Sequence, residues 1–319
     1  MKPVVILVQL VLLSVLVIGC SATLPRQGSV NPGAYQMNAD MDTGGFSRAS
    51  VIYVPAGYDP KNEYPLLVAL HGAFSNAAEL AETTGLNRLA DEEGFIVLYP
   101  EGIGILGFLQ HWNAGHCCGK AADDAIDDIA FLEKAILQAI ARFPVDTDKV
   151  FLMGHSNGGM LALRYAALRP ERLSGVAAIS ATINSKMVDQ EEFPPLPDAR
   201  QPMPVCIIHG KADDYIPFSA GQRSDRHEDR QFSPVKETTG YWVHANGCEG
   251  APSKARQDNG KVEQLTWNKC SSGATVVLYA IENWGHVWPG REQRAAHEPA
   301  GESDDFDAAE TVWNFFLHR

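Results

Sequence analysis

Lys149-Val150-Phe151-Leu152-Met153-Gly154-His155-Ser156-Asn157-Gly158-Gly159 is the stretch whose reading decides the fold. Val150 to Met153 is an unbroken apolar run of strand length, as expected of a strand covered on both faces. Asn157 to Leu168 then reads as a helix, ended before Pro170. A serine on so sharp a strand-to-helix turn holds its hydroxyl above the edge of the sheet. Such a turn is strained and needs small neighbours, which Gly154, Gly158 and Gly159 supply. The helix N-terminus behind Ser156 also favours negative charge of the kind that develops in acyl transfer. Ser156 is the candidate nucleophile.

Outward from this turn, strand-like and helix-like runs alternate. Ser50–Val54, Tyr64–Leu70, Phe95–Tyr99, Val176–Ser180, Val205–His209 and Val276–Ile281 read as strands. Glu79–Glu93, Asp123–Arg142 and Phe306–His318 read as helices, the second with Ile126, Ile129, Leu132, Ile136 and Ile140 near a 3.6 period. The early acids of that helix, Asp123, Asp124, Asp127 and Asp128, suit its N-terminus and are not read as a metal site. The alternation predicts an α/β fold with a mostly parallel central sheet and helices on both faces. Reactive groups then belong at the carboxyl ends of strands.

A serine hydroxyl needs a base to take its proton, and the base needs an orienting carboxylate. On this fold the chain order is nucleophile, acid, base. Gly210-Lys211-Ala212-Asp213-Asp214 follows one strand and Glu282-Asn283-Trp284-Gly285-His286 follows a later one. His286 is the candidate base, and either Asp213 or Asp214 the acid. Two backbone amides must meet the oxyanion. Asn157, next after the nucleophile, offers one, and Ala73, in the loop after Leu70-His71-Gly72, offers the other. His71 is read as bracing that loop; His155 and His209 have no assigned role.

The chain carries a net charge of −13, which argues against a nucleic-acid partner. Its apolar fraction of 45% allows a full core. Lys2 precedes an apolar run, Val4 to Ile18, of about 15 residues, short for a membrane span. It closes on Val17-Ile18-Gly19-Cys20, which resembles a lipobox. Residues 1–19 are therefore expected to be a lipoprotein-type signal, and Cys20 the lipidated residue that anchors the chain to a membrane. The expected destination is the bacterial cell envelope, at its outer membrane where there is one, or the extracellular space. Residues 20–45, rich in Gly, Pro, Ser and Asn, read as a tether, and residues 46–319 as one catalytic domain, expected to be monomeric. Of the six cysteines, Cys248 and Cys270 flank a polar stretch beside turn residues and are the best disulfide pair. Cys206 reads as buried, and the pairing of Cys117 and Cys118 is open.

Taken together, His71-Gly72, Trp112-Asn113-Ala114-Gly115 with Cys117-Cys118-Gly119, Asp127-Asp128, Gly154-His155-Ser156-Asn157-Gly158-Gly159-Met160, His209-Gly210 with Asp213 and Pro217, Asn246-Gly247-Cys248, Trp267 with Cys270, and Gly285-His286 with Trp288-Pro289-Gly290 resemble one family. It is the secreted esterase and polyhydroxybutyrate depolymerase family of α/β-hydrolases, which includes feruloyl and acetylxylan esterases. The resemblance runs from about Val51 to the C-terminus. It implies Asp213 rather than Asp214 as the acid, supports the Cys248–Cys270 bridge, and implies a serine esterase that needs no metal or organic cofactor. Trp284 stands where the family often has a second glycine before the base, and is expected to narrow the pocket. Phe74, Trp112 and Trp288 are the candidate pocket walls. The polar stretch Tyr215–Tyr241 is a candidate cap.

Feruloyl or acetyl esters of plant polysaccharide are the first expectation for substrate, and poly(3-hydroxybutyrate) or its oligomers the second. A catalytically dead binding protein on the same fold is the reading of another class. Intact Ser156, Asp213 and His286 argue against it.

Overall fold

The computed structural model describes residues 22–23, 30–39, 48–105, 108–199, 201–219, 221–222, 230–290 and 306–318. The signal segment and Cys20 lie outside these residues, as do residues 220 and 223–229 of the expected cap.

Numbered in chain order, the strands of the main sheet are β1 (Ala22–Thr23), β2 (Gly33–Ala39), β3 (Arg48–Val54), β4 (Tyr64–Leu70), β5 (Ile96–Pro100), β6 (Val145–His155), β7 (Gly175–Ile179), β8 (Val205–Gly210), β9 (Ser253–Gln257), β10 (Val262–Trp267) and β11 (Val276–Ile281). They lie in the order β1-β2-β3-β5-β4-β6-β7-β8-β11-β10-β9. The run from β5 through β4, β6, β7 and β8 to β11 is parallel throughout. Antiparallel pairs flank it: β3 on β5 on one side, β10 on β11 on the other.

Alternate residues of the central strands serve two cores, because successive side chains of a strand point to opposite faces. Leu66, Val68 and Leu70 join the core under helices α4 (Asp128–Arg142), α5 (Asn157–Leu168) and α6 (Val235–Ala245). Leu67 and Ala69 join the opposite one, under α1 (Ala77–Thr84), α2 (Leu86–Glu93) and α7 (Ala308–Leu317). Helices thus cover both faces, which is the α/β-hydrolase arrangement expected from the sequence.

Three expectations need correction. The helix expected over Glu79–Glu93 is two helices, broken at Gly85, whose φ of 64° ends α1 in the left-handed region. The helix expected from Asp123 is also divided: α3 (Gly119–Asp123) precedes it, Ala125 turns at φ 50°, and α4 begins at Asp128. Asp127 caps α4 through its side chain, accepting from the Ala130 amide at 2.9 Å. Asp128 is enclosed and pairs with Arg48 of β3 at 2.8 Å. The expected tether contains β2, whose Tyr35 and Met37 enter the core. The sheet therefore begins before residue 46.

Candidate active site

The turn after β6 has the geometry its glycines predict. Ser156 sits at φ 52°, ψ −122°, a conformation that a side chain rarely adopts. A Cβ at Gly154 would overlap the Gly158 backbone, one at Gly158 would overlap the carbonyl of His71, and one at Gly159 would come within 2.7 Å of Ala181 Cβ. These three positions admit nothing larger than glycine without displacing backbone or core. The Ser156 amide donates to Ile179 O of β7 at 2.9 Å, tying the turn to the neighbouring strand.

Three strand ends converge here. Ser156 Oγ lies 2.8 Å from His286 Nε2. His286 Nδ1 lies 2.8 Å from Asp213 Oδ2. Asp213 Oδ1 accepts from the amides of Tyr215 and Ile216 at 2.9 and 2.8 Å. With the carboxylate satisfied on its other side, Nδ1 of His286 carries the proton and Nε2 is left to accept from the serine. Burial works against a charge on Asp213, but hydrogen bonds from His209 and His286 outweigh it and hold the carboxyl below the usual carboxylate range. His209 Nε2 itself is 2.8 Å from Ile216 O and 3.3 Å from Asp213 Oδ2. Asp214 takes no part in this line.

Two cavities meet at Ser156 and His286. The larger, about 270 Å³, is lined by Gly72, Ala73, Ser75, His155, Val287 and Trp288, among others. The smaller, about 40 Å³, is lined by Ala73, Phe74, Asn157, Met160, Tyr215 and Phe232, among others. Ala73 borders both cavities and Asn157 the smaller, so both expected oxyanion donors belong to residues beside Ser156.

Asn157 does a second thing that its position in the motif does not announce. Its side chain accepts from the Trp112 amide at 2.7 Å and donates to the Trp112 carbonyl at 3.0 Å. The Trp112 indole then donates to His71 O at 2.9 Å. His71 Nε2 accepts from the Gly102 amide at 3.1 Å, and its Nδ1 lies 2.8 Å from Gly72 O. The loop carrying Ala73 is thereby fixed to the helix that follows Ser156. Burial pushes the His71 imidazole down to about 4, so it braces the loop in its neutral form.

The aromatic expectations divide. Phe74, 56% exposed, stands at the rim of the smaller cavity, and Trp288 walls the larger. Trp112 is not a pocket wall; it is fully buried between His71 and Phe131, because its indole is spent on the brace. Trp284 does not narrow the pocket either. Its ring packs into the core under α7 and its Nε1 donates to Val287 O at 3.0 Å. Sequence reasoning missed Tyr215, Met160 and His155 as lining residues. Each had a signal that stopped short of that role: His155 stands beside the candidate nucleophile, Met160 ends the serine motif and Tyr215 opens the expected cap.

The Cys248–Cys270 bridge is present, Cys117 is joined to Cys118, and Cys206 is buried and free. No helix among the described residues is long and apolar enough to cross a membrane.

Comparison with known proteins identifies the family. The family model named Esterase matches residues 45–296. The chain belongs to the Esterase family. A feruloyl esterase D of Neurospora crassa is 23% identical over 85% of this esterase and 82% of its own length. A bifunctional acetylxylan esterase/xylanase of Neocallimastix patriciarum is 24% identical over 76% of this esterase, which spans only 31% of that longer protein. Among solved structures, an acetyl xylan esterase from Aspergillus awamori superposes with a TM-score of 0.62 at 15% identity, covering 89% of this chain and 99% of its own. The protein is a serine carboxylic-ester hydrolase of the α/β-hydrolase fold.

Proposed function

We propose that Ser156 is the nucleophile, His286 the general base and acid, and Asp213 the group that orients the imidazole. The observation that carries this reading is the unbroken line of hydrogen bonds from Ser156 Oγ through His286 to Asp213. Ser156 attacks the ester carbonyl while its proton passes to His286 Nε2. The Ala73 and Asn157 amides hold the oxyanion. His286 returns the proton to the leaving alcohol, and water, activated by the same imidazole, frees the acid from the acyl-enzyme.

The unequal cavities favour an ester with one short side. A space of about 40 Å³ suits an acetyl group, and one of about 270 Å³ suits a sugar. Acetyl esters of polysaccharide are therefore the proposed substrates, ahead of feruloyl esters. Hydroxybutyrate oligomers, large on both sides of the bond, fit this asymmetry less well. The sequence Val17-Ile18-Gly19-Cys20 supports export and lipidation at Cys20.

The test is a hydrolysis panel on wild type beside Ser156→Ala, with p-nitrophenyl acetate and butyrate, methyl ferulate, acetylated xylan and hydroxybutyrate oligomers. Acetyl esters are expected to turn over fastest, and Ser156→Ala to cleave none. Residual full activity in Ser156→Ala would remove the serine from its role. A preference for methyl ferulate would reverse the substrate order. Incorporation of an alkyne fatty acid into expressing cells, lost in Cys20→Ala, tests the anchor.

A further inference from the structure

Cys118 borders the small cavity at Ser156, but its neighbour Cys117 borders a different and larger one, of about 590 Å³. Arg164 of α5, Arg230, His116, Ser185, Met187 and Gln190 are among its lining residues. A recess of about 30 Å³ that adds Asn184 continues it, sharing Gly115, His116 and Arg164. Nothing in the ester-cleaving reaction uses these groups.

Their hydrogen-bonding state is specific. Arg164 is half-buried, and its guanidinium fills the space a side chain at Gly115 would need. Among the described residues it makes neither a hydrogen bond nor an ion pair. Its planar fork of donors suits a carboxylate. Ser185 Oγ donates to His116 O at 3.0 Å and accepts from Arg230 at 3.2 Å, so His116 Nδ1, 2.9 Å away, must be the donor to Ser185. That leaves His116 Nε2 as a buried acceptor with no partner among the described residues. Asn184, 6% exposed, has an Oδ1 that is likewise buried and without a partner among the described residues. Buried polar atoms of this kind are rare in native proteins and call for a partner. The cleft thus offers a guanidinium that wants an anion beside two acceptors that want O–H donors. Asp123 and Glu192 also line it, but both are exposed, where solvent screens them.

We propose that this cleft binds a small polyhydroxylated carboxylate, a sugar acid, with its carboxylate on Arg164 and its hydroxyls donating to His116 Nε2 and Asn184 Oδ1. A neutral sugar lacks the anion, and a simple carboxylate lacks the hydroxyl donors. The site is separate from the reacting serine and does not depend on which ester is cleaved. Burial and the two nearby arginines push the His116 imidazole down to about 3, in keeping with a positive field at the floor of the cleft.

Methyl-labelled methionines read this directly, because Met187 lines the cleft and Met160 lines the cavity at Ser156. Wild-type protein is titrated with glucuronate, glucose and acetate while both methyl signals are followed. Glucuronate is expected to shift Met187 saturably without moving Met160, at concentrations at least tenfold below those of glucose or acetate. Arg164→Gln is expected to weaken the glucuronate response at least tenfold while p-nitrophenyl acetate turnover stays unchanged. The proposal is overturned if Met187 does not move, if glucose or acetate moves it as readily, or if folded Arg164→Gln responds like wild type. Should Arg164→Gln fail to fold, the wild-type comparison of the three ligands still decides.

Discussion

Tyr215 lies nearly face to face with His286, the ring centroids 5.2 Å apart and the planes inclined by 14°. Its own amide donates to Asp213 Oδ1. One residue therefore touches both the imidazole and the carboxylate that orients it. Aromatic pairs contribute about 0.5 to 1.5 kcal/mol beyond area burial. Tyr215→Ala is expected to lower kcat/KM about 2- to 10-fold, with Tyr215→Phe close to wild type. Steady-state kinetics on p-nitrophenyl acetate checks this; an unchanged Ala variant would reduce the ring to a cover.

Asp213→Asn replaces a carboxylate held charged by two imidazole contacts with a neutral amide. The amide can present its N–H to His286 and leave the imidazole in the wrong tautomer. A loss in kcat of about 10⁴-fold is expected by comparison with serine hydrolases generally, with the fold retained. Asp214→Asn is the matched control and is expected to stay within about twofold of wild type. Parallel kinetics and circular dichroism distinguish the two.

Asn157→Ala removes both side-chain hydrogen bonds to the Trp112 backbone and leaves that N–H and C=O buried. The expected destabilisation is about 2 to 4 kcal/mol. The loop carrying Ala73 loses its brace at the same time, so kcat falls although the backbone amide of residue 157 remains. Urea unfolding gives the first quantity and turnover the second. A stable variant with a normal rate would show that the clamp on Trp112 is dispensable.

His71, His116 and His155 are held neutral, pushed down to about 4, 3 and 3 by burial. In the unfolded chain each takes up a proton near pH 6.5. Below that pH the unfolded state binds more protons than the native one, so stability falls as pH falls toward the native values. The slope is up to about 1.4 kcal/mol per pH unit for each histidine. Urea midpoints measured from pH 7 to pH 4.5 are expected to drop steadily, and His116→Gln to drop less steeply. Parallel curves for wild type and His116→Gln would contradict this.

Much of the fold was legible because the central strands are continuous apolar runs between turn residues. Tyr64–Leu70, Asn157–Leu168 and Val276–Ile281 were read with the bounds the structure shows. The helix breaks at Gly85 and Ala125 were not legible, since apolar spacing continues across both and only the backbone reveals the turn. The strand Gly33–Ala39 did carry a signal, Tyr35 and Met37 facing inward around an exposed Gln36, but the polar composition around it hid the alternation. At the site, chain order and turn context pointed to Ser156, His286 and either Asp213 or Asp214; the family resemblance favoured Asp213, which is the carboxylate that meets His286. None of these signals could say which way a ring points. Trp112 and Trp284 turn into the core, and Tyr215, read only as the start of a cap, turns toward the imidazole.

Asn157 faces two ways, its backbone beside Ser156 at the small cavity and its side chain into the Trp112 brace. For anyone redesigning acyl preference, position 157 is effectively closed, because a substitution there would shift the frame along with the pocket. Phe74, at the exposed rim of the same small cavity and outside that brace, is where selectivity can be varied while the catalytic frame stays put.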